Sequence, residues 1–206
     1  MTLAGLVTRW WWIRHAPLRL PPGAMAGRLD VDVDLSDIEM INGARHRLPA
    51  DAVWLTSPLV RSIRSAAVLA PGVATRCVAD LTEQDFGRWQ GRTHAEVWEN
   101  ERATAERFWH DPAGNAPPDG ESFAALSGRV AAAIRRETVA LAGRDVVMVG
   151  HAGPIRAALA LALGLTPGAA LAVAVDHWHL FRLDHMAMEG GGDGQWRLIG
   201  ANIPPC

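Results

Sequence analysis

The sequence contains little cysteine. One of its two cysteines, Cys77, lies in a segment flanked by apolar residues, and the other, Cys206, is the last residue printed. Two such thiols supply neither a framework of disulfide bonds nor the ligand set of a structural zinc site. We therefore expect a reducing environment and predict the cytoplasm as the compartment of this protein.

The sequence also has no large excess of charge of either sign. Its 206 residues include 20 lysine and arginine residues and 22 aspartate and glutamate residues, which give a formal net charge of −2. Nucleic acids and anionic membrane surfaces attract proteins with a marked positive charge. We therefore predict neither as a partner, and any bound anion would need a local cluster of cations.

No stretch of the sequence is apolar for long enough to span a bilayer. The longest candidate, "IRAALALALGL", is shorter than the roughly 20 residues that a membrane helix needs. The apolar stretch near the start lacks the positively charged region of a signal peptide, and Arg9 interrupts it. These features predict a soluble protein.

A single domain suits the length and composition of the chain. Its 206 residues are 49% hydrophobic and 20% charged, as in ordinary globular proteins. We find no internal repeat and no heptad array. We expect residues 1–206 to form one domain, with a lid inserted at about 88–120, where a tryptophan-rich helical piece is followed by a Pro/Gly linker.

Strands and helices are predicted to alternate along the chain. This order favours a three-layer α/β/α sandwich whose central sheet is mostly parallel. The amphipathic stretch after the first loop is expected to be capped by Ser36 or Asp37. The predicted strands are residues 7–14, "DAVWLTSP", "VATRCVAD", "RDVVMVGH", "HWHLFRLDH" and "GQWRLIGANI", with a glycine turn "EGGGDG" between the last two. The predicted helices are "LSDIEMINGARHRL", "LVRSIRSAAVLA", "ESFAALSGRVAAAIRRETVALAG" and "GPIRAALALALGL".

Polar residues follow the predicted parallel strands where each strand ends. Arg14 and His15 end the apolar run "WWWIRHAP", and His151 follows "VVMVG". Ligands of such folds bind beyond the carboxyl ends of the strands. We therefore expect two histidines, two arginines and a carboxylate to meet at one edge of the sheet. The remaining members of this set are Arg61, one helical turn after Ser57, and Glu83, in the loop after the third strand.

This set of side chains is suited to phosphoryl transfer. Arginine presents a planar fork of donors that matches the oxygens of a phosphate. The helix that begins after His151 adds backbone donors. A neutral imidazole can attack phosphorus, and a carboxylic acid can protonate the departing alkoxide. Because these cations can stabilise the transferring group, we predict neither a metal nor another cofactor.

Five segments resemble the motifs of the histidine phosphatase superfamily, which includes the cofactor-dependent phosphoglycerate mutases. They come in the family's order and span residues 10 to about 160. "IRHAP" is similar to the Arg-His-Gly signature, and "TSPLVRSIRSA" to the Ser-x-Leu-x-Arg-Ala-x-x-Thr-Ala block. "LTEQDFGRWQG", "PDGESF" and "VMVGHAGPIRAAL" resemble the Leu-x-Glu-x-x-Phe-Gly-x-Trp-Glu-Gly, Gly-Glu-Ser and Val-x-His-x-Gly-x-Ile-Arg blocks.

The resemblance implies a phosphoglycerate mutase-like fold and a role for each polar residue. His15 would be the nucleophile that becomes phosphohistidine. Arg14, Arg61 and His151 would form the phosphate pocket, with His151 also counted among the catalytic residues. Glu83 would donate a proton to the leaving group and then activate water. The implied activity is metal-independent hydrolysis of a small-molecule phosphomonoester.

The sequence departs from the family pattern at a few positions. Ala16 replaces the usual glycine after the histidine, and Ser65 and Ala152 are milder variants. The loop from Leu18 to Gly27 lacks the polar residues that mutases place near their substrate. A mutase must hold and reorient a phosphorylated intermediate, so we predict water rather than a second hydroxyl as the acceptor.

Several alternatives remain open at this stage. "FGRWQG" and "PPDGESF" are most similar to the α-ribazole-5′-phosphate phosphatases of cobalamin biosynthesis. A broad phosphosugar or phosphoglycolate phosphatase, a phosphoglycerate mutase and a non-catalytic phospho-ligand binding protein are the other candidates. The oligomeric state stays undetermined, with a homodimer as one option.

Two further groups of residues are candidate sites. His177 and His179 would share one face of a strand, but no third metal ligand has a matching spacing, so we predict an ordinary strand near the surface. The tryptophan-rich pieces are expected to be mostly core, although some of the aromatic residues of the inserted segment could line a pocket for a flat substrate. These aromatic residues are Trp89, Trp98, Phe108 and Trp109.

Overall fold

The computed structural model describes residues 5–188 and 194–205, and within them helices cover both faces of a six-stranded sheet. The strands are β1 (Val7–Arg14), β2 (Val53–Thr56), β3 (Thr75–Cys77), β4 (Asp145–Gly150), β5 (Leu180–Met186) and β6 (Gln195–Ile203). The helices are α1 (Ile38–Arg47), α2 (Val60–Leu69), α3 (His94–Asn100), α4 (Arg102–His110), α5 (Phe123–Ala140), α6 (Ala152–Leu163) and α7 (Pro167–Ala170).

The sheet has the strand order β3-β2-β4-β1-β5-β6. The first four strands in this order are parallel, whereas β5 is antiparallel to β1 and β6 is antiparallel to β5. The prediction of a mostly parallel sheet is confirmed. Strand β1 lies between β4 and β5, as expected for a strand that is apolar on both faces.

Each face of the sheet has its own hydrophobic core, because side chains alternate between the faces along each strand. On one face Trp10, Trp12 and Met148 pack with residues of α5 and α6. On the other face Ile13 and Val149 pack with residues of α1 and α2. These two cores make the three layers of the predicted α/β/α sandwich.

Local sequence signals set the ends of several helices. Of the two predicted caps of α1, Asp37 is the one that acts, since its side chain accepts a hydrogen bond from the backbone N–H of Met40. Ser122 caps α5 in the same way. Helix α6 ends at Gly164, whose φ of +64° is a left-handed conformation that glycine adopts without strain.

The inserted segment forms two short helices, α3 and α4, with a small core of their own. Trp89 and Phe108 lie in this core with their rings 5.1 Å apart, as expected for most of the tryptophan-rich pieces. Trp98 and Trp109 are 40% and 43% exposed. The segment is joined to the loop after β1 by a bridge between Ala24 and Thr93.

The tail of the chain differs from its prediction. The expected strand "HWHLFRLDH" begins only at Leu180, so His177 and His179 precede β5 instead of lying within it. Trp178, between them, is buried and has a positive φ of 65°, which is incompatible with a strand. The predicted turn "EGGGDG" falls on residues 189–194, of which the structure describes only Gly194.

The length and composition of the described helices test whether any of them could span a membrane. None of them combines the length and the apolar character that a membrane span requires.

Candidate active site

The carboxyl ends of β1, β4 and β2 lie side by side because these strands are neighbours in the parallel part of the sheet. Arg14 is paired with Gly150 in the register of β1 and β4. The backbone N–H of His15 continues this pairing with a 3.0 Å hydrogen bond to the Gly150 carbonyl. The topology thus brings His15 and His151 together, with ring centroids 5.2 Å apart.

His15 is only 3% exposed, and its ring has a defined orientation. Its Nδ1 lies 2.6 Å from the Ala16 carbonyl oxygen, so Nδ1 carries the proton and donates it. The lone pair of the neutral ring is then on Nε2. This is the tautomer that an attack through Nε2 requires.

Two departures from the family pattern, Ala16 and Ser65, are in direct contact. The backbone N–H of Ala16 donates to Ser65 Oγ at 2.9 Å. Ala16 is buried and is not among the described residues with a positive φ. The backbone after His15 therefore accommodates alanine without strain.

His151 is fully buried and is held through both ring nitrogens. Arg61 Nε donates to its Nδ1 at 3.2 Å, which places the ring proton on Nε2. That nitrogen lies 2.7 Å from Ser57 Oγ and donates to it. Ser57 follows β2, so three adjacent strand ends and the start of α2 contribute to this cluster.

Arg61 and Arg14 differ in how fully their donors are used. Arg61 is 1% exposed, and its two terminal nitrogens donate to the carbonyls of Leu29 at 2.6 Å and Gly27 at 2.5 Å. Arg14 Nη1 donates to the Val175 carbonyl at 2.5 Å. In contrast, Arg14 Nε is buried and has no hydrogen-bond partner among the described residues. An unpaired buried donor is costly, and an anion in this site would satisfy it.

Glu83 reaches the site from the loop after β3. Its Oε1 accepts hydrogen bonds from the backbone N–H groups of Gly153, at 3.1 Å, and Gln84, at 2.9 Å. Gly153 lies in the first turn of α6, so the carboxylate sits at the positive end of that helix. Burial lowers the pKa values of Arg14 and Arg61, and the nearby charge of Glu83 opposes that shift.

The two histidines are neutral at ordinary pH. Burial lowers the pKa values of His15 and His151 well below 6.5, and the positive charge of Arg61 lowers both further. A neutral ring at His15 keeps its lone pair available. The site therefore combines a neutral imidazole with the guanidinium groups of Arg14 and Arg61 and a carboxylate, which is an arrangement suited to receiving a phosphate.

Comparison with known proteins assigns a family to this arrangement. The sequence model of the histidine phosphatase superfamily (branch 1) matches residues 10–197. This chain belongs to the histidine phosphatase superfamily. The resemblance noted in the sequence is thereby confirmed.

Three relatives are similar to this chain in sequence, to different extents. The chain is 31% identical over 196 residues to the glucosyl-3-phosphoglycerate phosphatase of Mycolicibacterium vanbaalenii, covering 89% of this chain and 80% of that protein. It is 26% identical over 200 residues to the adenosylcobalamin/α-ribazole phosphatase of Escherichia coli, covering 94% and 90%. A bifunctional protein of Mycobacterium tuberculosis is 37% identical over 119 residues, covering 57% of this chain. The chain spans only 32% of that longer protein.

Solved structures of the superfamily share the fold. Mycobacterial glucosyl-3-phosphoglycerate phosphatase superposes with a TM-score of 0.83 at 26% identity, covering 96% of this chain and 99% of that one. A protein from Escherichia coli described as a putative α-ribazole-5′-phosphate phosphatase also gives 0.83, at 22% identity, covering 95% and 96%. The phosphoglycerate mutase-like fold class is confirmed by these matches.

One residue at the site of this histidine phosphatase was missed by the sequence reasoning. The ring of His177 lies 5.1 Å from that of His15, and its Nδ1 donates to the His15 carbonyl at 2.8 Å. The Trp178 backbone N–H donates to the Arg14 carbonyl at 3.0 Å. Because β5 is antiparallel to β1, the residues before β5 arrive where β1 ends. No local pattern in the sequence specifies this pairing of β5 with β1, so the sequence carried no signal for the position of His177.

A metal site at His177 and His179 would need at least a third ligand close to these two side chains. Within residues 5–188 and 194–205, the structure contains no group of three or more histidine, cysteine, aspartate or glutamate side chains placed to hold a metal ion. Instead, His177 is directed at the backbone of His15, and His179 Nδ1 lies 3.1 Å from the Asn202 carbonyl oxygen.

We expect the stability of this histidine phosphatase to fall on mild acidification. Burial and the charge of Arg14 lower the pKa of His177 to about 4, and the pKa values of His15 and His151 also lie below 6.5. The unfolded chain takes up these protons near pH 6.5, whereas the folded chain does not. The free energy of unfolding should therefore decrease below pH 6.5 by about 1.4 kcal/mol per pH unit for each such histidine.

Urea unfolding at intervals between pH 7 and pH 4.5 measures this dependence. The variant His177→Gln should have a shallower slope by about one proton, because glutamine does not titrate. An unchanged slope in that variant would mean that His177 is already protonated in the folded protein.

Proposed function

We propose that this protein is a metal-independent phosphomonoester hydrolase that acts through a phosphohistidine. His15 Nε2 attacks phosphorus and the ester P–O bond breaks, while Glu83 in its acid form gives its proton to the leaving oxygen. The Glu83 carboxylate then takes a proton from water, whose oxygen displaces His15 from phosphorus. Inorganic phosphate and the alcohol leave, and both residues return to their starting states.

The observation that carries this proposal is the neutral, oriented ring of His15, which lies against His151, a ring on which the charges of Arg61 and Arg14 act. The Nε of Arg14 has no partner among the described residues. A phosphate oxygen at this point would accept the Arg14 hydrogen bond and place phosphorus near His15 Nε2. Arg61 has two further N–H hydrogens beyond the three donors already engaged. We assign Arg14, Arg61 and His151 to the phosphate pocket, where His151 also supports the transferring group.

Water is the proposed acceptor instead of a second substrate hydroxyl. The loop after β1 presents the carbonyls of Gly27 and Leu29 to Arg61, and these acceptors are already engaged. A mutase needs donors there to hold a phosphorylated intermediate while it turns. Phosphoglycerate mutase activity is therefore the second candidate, favoured only by the shared superfamily.

The cytoplasmic location and the single domain with a lid are proposed from the sequence. We propose that residues 1–206 act as one domain in the cytoplasm and that the segment 88–120 serves as a lid. The lid is supported by its position, because the loop that pairs with it through Ala24 also supplies the Gly27 carbonyl to Arg61. Movement of the inserted segment would reach the site through this loop.

The substrate proposal rests on the names of two relatives and on the exposed aromatic residues. One relative is named for α-ribazole phosphate, which belongs to cobalamin biosynthesis, and the other for glucosyl-3-phosphoglycerate. Trp98 and Trp109 leave aromatic surface exposed on the insertion. A flat leaving group could stack on such a ring, with a gain of about 1–3 kcal/mol per base. We therefore favour α-ribazole 5′-phosphate or a similar nucleotide-like ester.

Phosphate release from a panel of esters tests this function. The panel is α-ribazole 5′-phosphate, glucosyl-3-phosphoglycerate and 3-phosphoglycerate, each with and without a chelator. We expect turnover without metal, and a kcat/KM for α-ribazole 5′-phosphate about 5- to 150-fold above that for 3-phosphoglycerate. Trp98→Ala or Trp109→Ala should narrow this ratio, whereas Trp196→Ala on β6 should leave it unchanged.

Three results would contradict the proposal. Preference for glucosyl-3-phosphoglycerate would reject the nucleotide-like substrate. Exchange of 2- and 3-phosphoglycerate that outruns phosphate release, after priming with the bisphosphate, would make the protein a mutase. Failure to hydrolyse even p-nitrophenyl phosphate would favour a non-catalytic phospho-ligand binding protein.

A further inference from the structure

The carbonyl of Glu83 is held by two arginines from distant parts of the chain. Arg28 Nε donates to it at 3.2 Å, and Arg129 Nη2 donates to it at 3.0 Å. Arg28 belongs to the loop after β1 and Arg129 to α5. Two guanidinium groups on a single backbone oxygen repel each other unless an anion lies between them.

That anion is the carboxylate of Glu121, at the end of the linker that precedes α5. Its Oε1 accepts from Arg28 Nη2 at 2.9 Å and from Arg129 Nη2 at 2.5 Å. Its Oε2 accepts from Arg129 Nε at 3.0 Å. We refer to Glu121, Arg28 and Arg129 as the Glu121 cluster.

The Glu121 cluster also holds the residues that follow Glu83. Glu121 Oε1 accepts from the Asp85 backbone N–H at 3.1 Å, and the Glu121 backbone N–H donates to the Asp85 carbonyl at 2.9 Å. Gln84 Nε2 donates to the Glu121 carbonyl at 2.9 Å. On the other side of Glu83, Arg129 Nη1 donates to the Thr82 carbonyl at 2.9 Å. The segment around Glu83 is therefore anchored chiefly to Glu121 and its two arginine partners, and Asp85 Oδ2 lies 3.6 Å from Arg28 Nη1 as a second, more distant carboxylate.

Glu121 has the properties of an anchor that remains charged. Its side chain is 17% exposed. Burial raises the pKa of its carboxyl group, but the hydrogen bonds and charge of Arg129 and the charge of Arg28 bring the net pKa below the ordinary value. The carboxylate thus remains ionised over the pH range in which a phosphatase would work. Among the described residues, Glu121 has no hydrogen bond or ion pair with His15 or with the phosphate pocket.

We infer that Glu121 is a positioning residue: through Arg28 and Arg129 it fixes the backbone of Glu83 so that the Glu83 carboxyl group meets the leaving oxygen. This inference rests on the proposed role of Glu83 as proton donor. Without the Glu121 charge, the two guanidinium groups separate and the loop that carries Glu83 shifts. A misplacement of about 1 Å at a reacting group costs about 10²-fold in rate.

The test is a double-mutant cycle of Glu121 and Glu83, in which each variant is assayed with two esters whose leaving groups differ in their need for a proton. Phosphorylation rates are measured for p-nitrophenyl phosphate, which needs little protonation, and for an alkyl phosphate, which needs full protonation. Glu121→Gln should slow the alkyl ester by about 10- to 100-fold and the p-nitrophenyl ester by much less. In a Glu83→Gln background the same substitution should have no further effect on either ester, because the proton donor is already gone.

A matched control comes from another partly buried carboxylate–arginine pair. Glu101 accepts hydrogen bonds from Arg92 and from Trp89 Nε1 within the inserted segment, and among the described residues no hydrogen bond joins its side chain to residues 82–85. Glu101→Gln should leave the ratio between the two esters unchanged. Arg28→Gln removes one of the two donors to the Glu83 carbonyl. It should give a smaller loss of the same kind, and it serves as the second variant if Glu121→Gln folds poorly.

The possible results distinguish a failure of the positioning role of Glu121 from a failure of the proton-donor role of Glu83. Equal losses on both esters, or a loss that persists in the Glu83→Gln background, would show that Glu121 supports the fold in general and would overturn the inference. A wild-type ratio in both Glu121→Gln and Arg28→Gln would overturn it as well. If Glu83→Gln itself fails to slow the alkyl ester selectively, the proton-donor role is wrong and the inference is lost with it.

Discussion

Replacement of His15 by alanine is expected to lower turnover by at least about 10⁴-fold, which is the scale for loss of a covalent nucleophile. No other described imidazole has the same environment. His151 is engaged by Ser57 and Arg61, and the Nδ1 of His177 is bound to the His15 backbone. Neither ring is placed to substitute for the Nε2 lone pair of His15.

The covalent intermediate itself should be observable on His15. Wild-type protein mixed with ³²P-labelled substrate, quenched rapidly without acid and digested, should give a labelled peptide that contains residue 15 and loses its label in acid. His15→Ala should give no label while retaining wild-type circular dichroism. Label on His151 or His177, or none in a quench faster than turnover, would reject His15 as the nucleophile.

Replacement of Glu83 by glutamine is expected to have the second largest effect. Glutamine cannot donate a carboxylic acid proton, so hydrolysis of esters with poor leaving groups should slow by about 10²- to 10⁴-fold. Phosphorylation by p-nitrophenyl phosphate should slow much less, since its leaving group is stable without a proton. Equal reductions in the phosphorylation rates of both esters would contradict the proton-donor role.

The Glu83 carboxylate can also be displaced by a substitution at a neighbouring residue, without replacing Glu83 itself. A Cβ at Gly153 would lie 2.2 Å from Glu83 Oε1, closer than any real contact, and the side-chain end of Glu83 would have to move. Gly153→Ala should therefore reproduce the leaving-group selectivity of Glu83→Gln, with some loss of stability because the same Cβ would lie 3.0 Å from Leu126 Cδ1. Gly128→Ala, in the middle of α5 where a Cβ meets open space, is the matched control. It should retain activity and stabilise the helix by about 0.5–1 kcal/mol.

Wild-type selectivity in Gly153→Ala would mean that the helix N-terminus does not orient the Glu83 carboxylate. The steady-state ratio of the two esters and thermal unfolding of both glycine variants decide this point. The comparison is informative because both glycines lie in helices and both substitutions add a single methyl group.

The strands, helices and family could be predicted from the sequence because their signals are local. Apolar runs that end in polar residues predicted the ends of β1 and β4 to within one residue. The Asp37 cap marked the start of α1. The five motifs gave the superfamily, and the parallel order of the first four strands gave the edge of the sheet at which His15, His151 and Glu83 meet. The roles of these residues remain predictions.

The supporting contacts of the site were decided by the tertiary structure alone. His177 reaches His15 across 162 positions of sequence because β5 runs antiparallel beside β1, a pairing that no local pattern specifies. Arg28 and Glu121 meet across 93 positions because the loop after β1 and the linker before α5 pack against the same turn. Which aromatic residues of the inserted segment are buried was also decided there: Trp89 and Phe108 pack against each other, whereas Trp98 and Trp109 are exposed. Periodicity fixes which side of an element is apolar, whereas the partner of a charged or aromatic side chain depends on which distant segments the folded sheet brings together.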